Sequence, residues 1–303
     1  MRRLTLIPEL VTAVILITST IGAAAQTAAP LIVDVEWLSQ HLTDRDLVVL
    51  HVGTREEYAA GHIPGARLVT EEDVSLPHNH SDMKDMMLEL PDAATLRDKV
   101  AQFGISDNSR IVVSFGPDMG AQSATRIVFT LDYLGLGART SLLNGGQSAW
   151  QRAGKPVTTA APPAARGKLA STPRQNLVVD AAFVASVPSR AGYKLVDARG
   201  GVIYKGIEPT MNGKAGHIPG AISIPFTEMI DTNLLIDRAR VASVFERAGV
   251  KPGDTVVAYC HVGQQATLVL FAARLLGHPV MLYDGSFQDW AVNNRSPVEK
   301  VAK

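Results

Sequence analysis

Short runs of β-branched and apolar residues alternate along the chain with longer stretches whose apolar positions recur every three or four residues. In the second half, residues 194–198 predict a strand and 234–248 a helix closed by Gly249. Residues 256–259 predict a further strand, 265–276 a helix capped by Gly277, and 280–283 a last strand. Such alternation implies an α/β fold, a mostly parallel sheet flanked by helices, with ligands at the carboxyl ends of the strands.

The pattern occurs twice. Gly61-His62-Ile63-Pro64-Gly65-Ala66 recurs as Gly216-His217-Ile218-Pro219-Gly220-Ala221. Ile111-Val112-Val113 answers Thr255-Val256-Val257. Ala124-Thr125, Phe129, Leu134 and Gly135 answer Ala266-Thr267, Phe271, Leu276 and Gly277 at one constant offset. Asn144-Gly145 and Trp150 answer Asp284-Gly285 and Trp290. The chain is therefore read as two tandem domains, 31–157 and 177–297. Between them, 158–176 is rich in Ala, Pro, Thr and Arg, shows no apolar period and predicts an extended linker.

A length of 303 residues suits two domains, and 46% hydrophobic with 19% charged residues is ordinary globular composition. The formal net charge is zero, which gives no electrostatic case for nucleic acid or acidic lipid as a partner. Residues 1–25 predict a secretory signal peptide: Arg2 and Arg3, an apolar stretch over 10–21, then Ala23-Ala24-Ala25 before Gln26. The mature protein is then expected in a periplasm, with no stable membrane association after cleavage.

Cys260 is the one cysteine, so no internal disulfide exists, and no Cys/His spacing of a metal site occurs. It ends a predicted strand, and Cys260-His261-Val262-Gly263-Gln264-Gln265 leads into a predicted helix. Backbone N–H groups and the positive end of a helix at that place favour the thiolate, the reactive form of cysteine. A buried structural cysteine is the plainer alternative for a lone thiol. An exported chain that keeps one unpaired thiol argues for a use.

With these residues in view, the chain resembles the tandem-domain rhodanese family of thiosulfate and 3-mercaptopyruvate sulfurtransferases. The resemblance spans about Val33 to Trp290 and rests on the two Gly-His-Ile-Pro-Gly-Ala segments, Asp197-Ala198-Arg199, the Cys260 loop and 284–290. It implies two rhodanese-like domains, the first inactive. Cys260 would carry a sulfane sulfur as a persulfide, taken from thiosulfate or a related small donor and passed to a thiol or cyanide, with no cofactor. The amides of His261, Val262, Gly263, Gln264 and Gln265 would surround that sulfur, with Gly263 at positive φ. Asp197 and Arg199 would form a buried pair that orders the loop, and His62 and His217 would be structural. The first-domain loop 116–123 has no cysteine; Gly116 falls at the place of Cys260 in a loop two residues longer, and His51 and Gly53 replace the Asp and Arg of the Asp-x-Arg segment. That domain is expected to wall one side of the site.

Departures from the family's pattern limit the substrate. His261 is the sole basic candidate directly after the cysteine, and Ile203 stands where an arginine usually precedes the aromatic residue at Tyr204. An anionic donor loses a charge-assisted partner worth about 1.5–3 kcal/mol; Lys205 and Lys214 are the nearest substitutes in sequence. An alternative is a sulfur carrier or persulfide-binding module serving a protein acceptor, with little turnover on small acceptors. A cysteine phosphatase needs an arginine where Ala266 stands, and thiol redox exchange lacks a resolving cysteine. His78, His80 and Met83, Met86 and Met87 group imidazole and thioether side chains of the kind copper takes, although methionines commonly just fill cores.

Overall fold

The computed structural model describes residues 28–79, 81–82, 84–210, 213–293 and 296–301. The predicted signal peptide and two of the grouped side chains, His80 and Met83, lie outside the described residues.

In the first domain the strands are β1 (Ile32–Val33), β2 (Leu47–Val52), β3 (Arg67–Val69), β4 (Arg110–Phe115) and β5 (Thr140–Leu143). Its helices are α1 (Val35–His41), α2 (Arg55–Ala60), α3 (Ala93–Ala101), α4 (Gly120–Tyr133) and α5 (Gly146–Arg152). In the second domain the strands are β6 (Val178–Val179), β7 (Tyr193–Asp197), β8 (Ile222–Ser223), β9 (Thr255–Tyr259) and β10 (Val280–Tyr283). Its helices are α6 (Ala181–Ser186), α7 (Gly201–Tyr204), α8 (Arg238–Arg247), α9 (Gln264–Leu276) and α10 (Ser286–Gln288). The sheet orders are β1-β5-β4-β2-β3 and β6-β10-β9-β7-β8, the same permutation twice, and every strand pairing is parallel. β9 is thus the middle strand of its sheet, and its carboxyl end carries Cys260.

Local chemistry explains the element ends. Asp34, Thr54, Asp92, Asp180 and Asp237 cap helices by accepting amide hydrogens, and Thr54 with Glu57 forms a complete capping box. Gly277, at φ 94°, closes α9. The helix expected from residue 234 begins instead at Arg238, because Leu234 takes φ 63° and Asp237 is the cap.

The halves share one core cluster, which contains residues of both sheets and of the two long helices α4 and α9. These helices pack on each other, which buries most of α4 and residues 266–273 of α9. Thr125 and Thr267, equivalent residues of the repeat, meet there with their Oγ1 atoms 3.1 Å apart. The linker residues carry no regular element between β5 and Gln175 beyond α5 and lie along the first domain: Gly167 donates to Ala101 O at 2.8 Å, and Ala170 to Asp107.

The strand registers correct one expectation. Leu47 pairs with Arg110 and His51 with Ser114, while Tyr193 pairs with Thr255 and Asp197 with Tyr259. Arg110 therefore answers Thr255, and Phe115, not Gly116, holds the place of Cys260. Core-facing parity agrees: Ile111, Val113 and Phe115 join the shared core, as do Val256, Ala258 and Cys260. The first-domain loop is three residues longer than its counterpart, counted from there to Ala124 and Ala266. Aligning one apolar run a residue out of step is an easy slip, and in a strand it turns every side chain to the other face.

Candidate active site

Cys260 is fully buried at the end of β9. Its N–H donates to Ser286 Oγ at 3.1 Å, and that hydroxyl donates to Tyr283 O at 2.8 Å. Phe287 N–H donates to Cys260 O at 3.1 Å and Gln288 N–H to His261 O at 3.0 Å. The segment after β10 is thus the floor of the loop. The chain then turns at Gly263, with φ 80° and ψ −2°, into α9, whose N-terminus has no side-chain cap. The amides of Gln264 and Gln265 have no acceptor within their own helix, and the helix dipole adds positive potential at the same end. Negative charge on a sulfur inside this turn is what such an arrangement favours.

Asp197 and Arg199 are both fully buried. Arg199 Nη2 lies 2.6 Å and Nε 2.9 Å from the carboxylate, and Nη2 also donates to Gly216 O at 2.8 Å. Tyr259, directly before the cysteine, donates its hydroxyl to Asp197 at 2.8 Å and accepts Ile218 N–H at 2.9 Å. The guanidinium lies 3.9 Å from the centre of the Phe287 ring. The pair therefore braces the loop through Tyr259 and Phe287, not by bonding the 261–265 backbone. Burial opposes the Arg199 charge, but the bonds to Asp197 outweigh it and hold the group above its ordinary range. Arg199 Nη1 is buried without a hydrogen-bond partner.

The first domain reaches into this loop, and no motif in the sequence marks the residues that do so. Arg126 on α4 is fully buried; its Nη1 lies 2.5 Å from Asp284 Oδ1 and 3.4 Å from Gly263 O, and its Nη2 donates to Leu88 O. Gln264, expected to line the site by its backbone, turns its side chain away to Glu71 Oε2 at 2.9 Å and Ser123 Oγ at 3.0 Å. Burial raises the Glu71 carboxyl, and the Gln264 hydrogen bond and the Arg126 charge oppose that shift. A pattern that looks for chemistry beside a cysteine has no reason to select Glu71 or Arg126, which lie 189 and 134 residues upstream of it.

His261 and Val262 are partly exposed at the rim. Burial and then the Arg199 charge press the His261 pKa down to about 4, so it offers no cation at neutral pH. Gln265 Oε1 is buried without a partner. His62 and His217 stack on Tyr58 and Tyr204 with centroids 3.6 and 4.0 Å apart, and each ring Nδ1 lies 2.8 Å from its tyrosine's carbonyl. Their work is to pin two turns. The 84–90 segment straps the second domain: Met87 N–H donates to Gln288 Oε1 at 3.1 Å, and Leu90 N–H to Asp284 Oδ2 at 3.0 Å. Among the described residues no group of three metal-ligating side chains occurs.

The first-domain counterpart is filled by its own side chains. Glu57 Oε1 accepts Asp118 N–H at 2.9 Å from the loop, and its other oxygen accepts Thr54 N–H at 2.8 Å. A Cβ at Gly116 would collide with that carboxylate. His51 takes the place of Asp197, and Ile203 answers Glu57 in the second domain.

Comparison with known proteins agrees with this geometry. The rhodanese-like domain family matches residues 34–153 and 183–293, and the chain belongs to that family. The chain is 32% identical over 273 residues to a probable 3-mercaptopyruvate sulfurtransferase of Pseudomonas aeruginosa, covering 86% of this chain and 95% of the relative. It is 29% identical to a thiosulfate sulfurtransferase of Azotobacter vinelandii, over 89% of this chain and 97% of that one. The crystal structure of SseA from Escherichia coli, described by its rhodanese fold, superposes with a TM-score of 0.73 at 25% identity, covering 86% of this chain and 99% of that one. EanB matches with a TM-score of 0.78 at 22% identity, over 90% of this chain and 70% of its own, a likeness of fold.

Proposed function

We infer that the protein is a sulfurtransferase in which Cys260 takes a sulfane sulfur from thiosulfate or a related small anionic donor and gives it to a thiol or cyanide. The observation that carries this reading is the single cysteine at the end of β9, leading through a left-handed glycine turn into an uncapped helix N-terminus. The family and its sulfurtransferase relatives support the reaction class.

With thiosulfate as donor, the Cys260 thiolate attacks the outer sulfur. The bond between that sulfur and the sulfonate sulfur breaks, and sulfite leaves with the electron pair. The persulfide anion so formed is stabilised by the amides of the His261–Gln265 turn. Cyanide carbon or an acceptor thiolate then attacks the terminal sulfur, the S–S bond breaks, and the Cys260 thiolate is regenerated. The cycle leaves the enzyme unchanged.

Donor preference follows from what the loop lacks. Arg126 and Arg199 hold the nearby positive charge, but both are buried and paired with carboxylates, and His261 is neutral. Ile203 adds none. Donors are therefore held by backbone amides, with weak affinity for dianions, and a protein-borne persulfide is the next donor class. Export to a periplasm is proposed on the basic, apolar and small-residue order of residues 1–25; cleavage after Ala25 is read by N-terminal sequencing of the secreted chain.

The test is thiocyanate production from cyanide with thiosulfate and with 3-mercaptopyruvate, beside Cys260→Ser. Turnover with either donor that vanishes in the variant is expected. A folded protein that turns over neither donor moves the sulfur-carrier reading, with a dedicated protein acceptor, to the front.

A further inference from the structure

We propose that Arg126, on the cysteine-less first domain, is a positioning residue for the Cys260 loop of the second. Transfer at Cys260 then depends on the first domain beyond its packing. The inference rests on the sulfurtransfer reading for its activity readout.

The guanidinium is fully buried and touches three groups from three parts of the chain: Asp284 at 2.5 Å, Gly263 O at 3.4 Å and Leu88 O. It lies directly beneath the turn, since a Cβ placed on Gly263 would sit 3.0 Å from Arg126 Nη1 and 2.7 Å from Asp284 O. The Gly263 carbonyl and the Gln264 N–H belong to one planar trans peptide and point in opposite directions. Fixing the carbonyl on Arg126 fixes the direction of the first amide of α9.

The repeat provides an internal control. Leu88 and Leu234 both take positive φ, at 60° and 63°, and each opens a segment that crosses to the other domain. Leu90 N–H donates to Asp284 Oδ2 at 3.0 Å; Ile236 N–H donates to Asn144 Oδ1 at 2.8 Å. Asn144 and Asp284 are equivalent positions, so the domains clasp each other twice by the same device. At the clasp beside the cysteine-less loop, Asn144 is neutral and the counterpart of Arg126 is the buried Leu268. At the clasp beside Cys260 the same two places hold an aspartate and an arginine. Beside the cysteine-less loop a neutral clasp joins the domains through the same hydrogen bond, and burying a charged pair is costly compared with apolar packing. The ionic version occurs on the side where a loop must be held for chemistry.

The test uses the full chain with Arg126→Met and with Arg126→Met combined with Asp284→Asn, which removes the carboxylate that Arg126 faces at 2.5 Å. Hydrogen exchange of the 261–266 amides, kcat and KM, and thermal midpoint are measured together. Expected are exchange in that loop faster by about tenfold, as for loss of one charge-assisted hydrogen bond, and kcat lower by up to about a hundredfold, as for a misplaced reacting group. The double variant keeps its thermal midpoint near that of the parent while showing both effects. Arg126→Lys, which retains the ion pair but cannot reach Gly263 and Leu88 together, falls between. Loop exchange and kcat matching the parent in the double variant overturn the proposal, whatever the thermal midpoint does. If Arg126→Met fails to fold, the double variant decides. If the parent itself transfers no sulfur, the functional reading fails separately and loop exchange alone decides this one.

Discussion

Phe115 in the first domain occupies the strand position that Cys260 occupies in the second, with its side chain turned into the same shared core. The first domain therefore holds an aromatic core side chain at that place, and its loop amide at Asp118 is taken by Glu57. Placing a thiol there is not expected to create a site. In a Gly116→Cys variant the new side chain meets the Glu57 carboxylate, and in Phe115→Cys a buried ring is lost at a cost of about 3 kcal/mol. Intact-mass measurement after donor treatment is expected to show one sulfur per chain in both variants; two would show that the first loop is competent after all.

Gly263 carries two separate constraints, a left-handed φ of 80° and the nearness of Asp284 O. Gly263→Ala is expected to lower stability by at least about 1 kcal/mol from the backbone alone, and to lower kcat more than KM because the amide turn moves. Urea melts and steady-state kinetics read the two effects independently.

The Asp197–Arg199 pair is buried on both sides, so breaking it from one side leaves a bare charge. Asp197→Ala is expected to cost about 3–5 kcal/mol, and Asp197→Ala with Arg199→Met clearly less. A denaturant-melt cycle across the four proteins measures the difference; equal costs would show that the pair does little beyond filling space.

His51, in the place of Asp197, is fully buried, and burial lowers its pKa from 6.5 to about 4, against an opposing pull from Glu57. Between those values the unfolded chain binds more protons than the folded one, so stability falls as pH falls. The contribution is whole above about pH 6.5, declines through the interval and is spent below about 4, a total of about 3 kcal/mol. His51→Leu is expected to flatten the stability profile across that window, read as thermal midpoint against pH. His261 is lowered in the same direction, also to about 4, so its share of the slope remains in His51→Leu.

Much of the fold was legible in the chain because the repeat wrote it twice: the final strand over 280–283 matches residue for residue, and the helix expected over 265–276 and the neighbouring strands lie within one residue. The position of Cys260 at a strand end was legible from the apolar pattern, while the Gly263 turn and the buried Asp197–Arg199 pair, both present in the structure, were implied by the family resemblance. The place of Phe115 was not, since two β-branched runs of similar composition align equally well one residue apart and only hydrogen-bond register separates them. Arg126 and Glu71 were invisible for a different reason. Their contacts at the loop, with Gly263, Asp284 and Gln264, come from the other domain, and local sequence pattern carries no information about which helix faces will meet.

The central claim is that one sulfur travels on Cys260. The most direct measurement is the intact mass of the protein after exposure to a sulfane sulfur donor and again after cyanide. A gain of one sulfur atom that cyanide removes, absent from Cys260→Ser, is the predicted result. A gain that persists in Cys260→Ser, or no gain in the folded parent with any donor, contradicts the account.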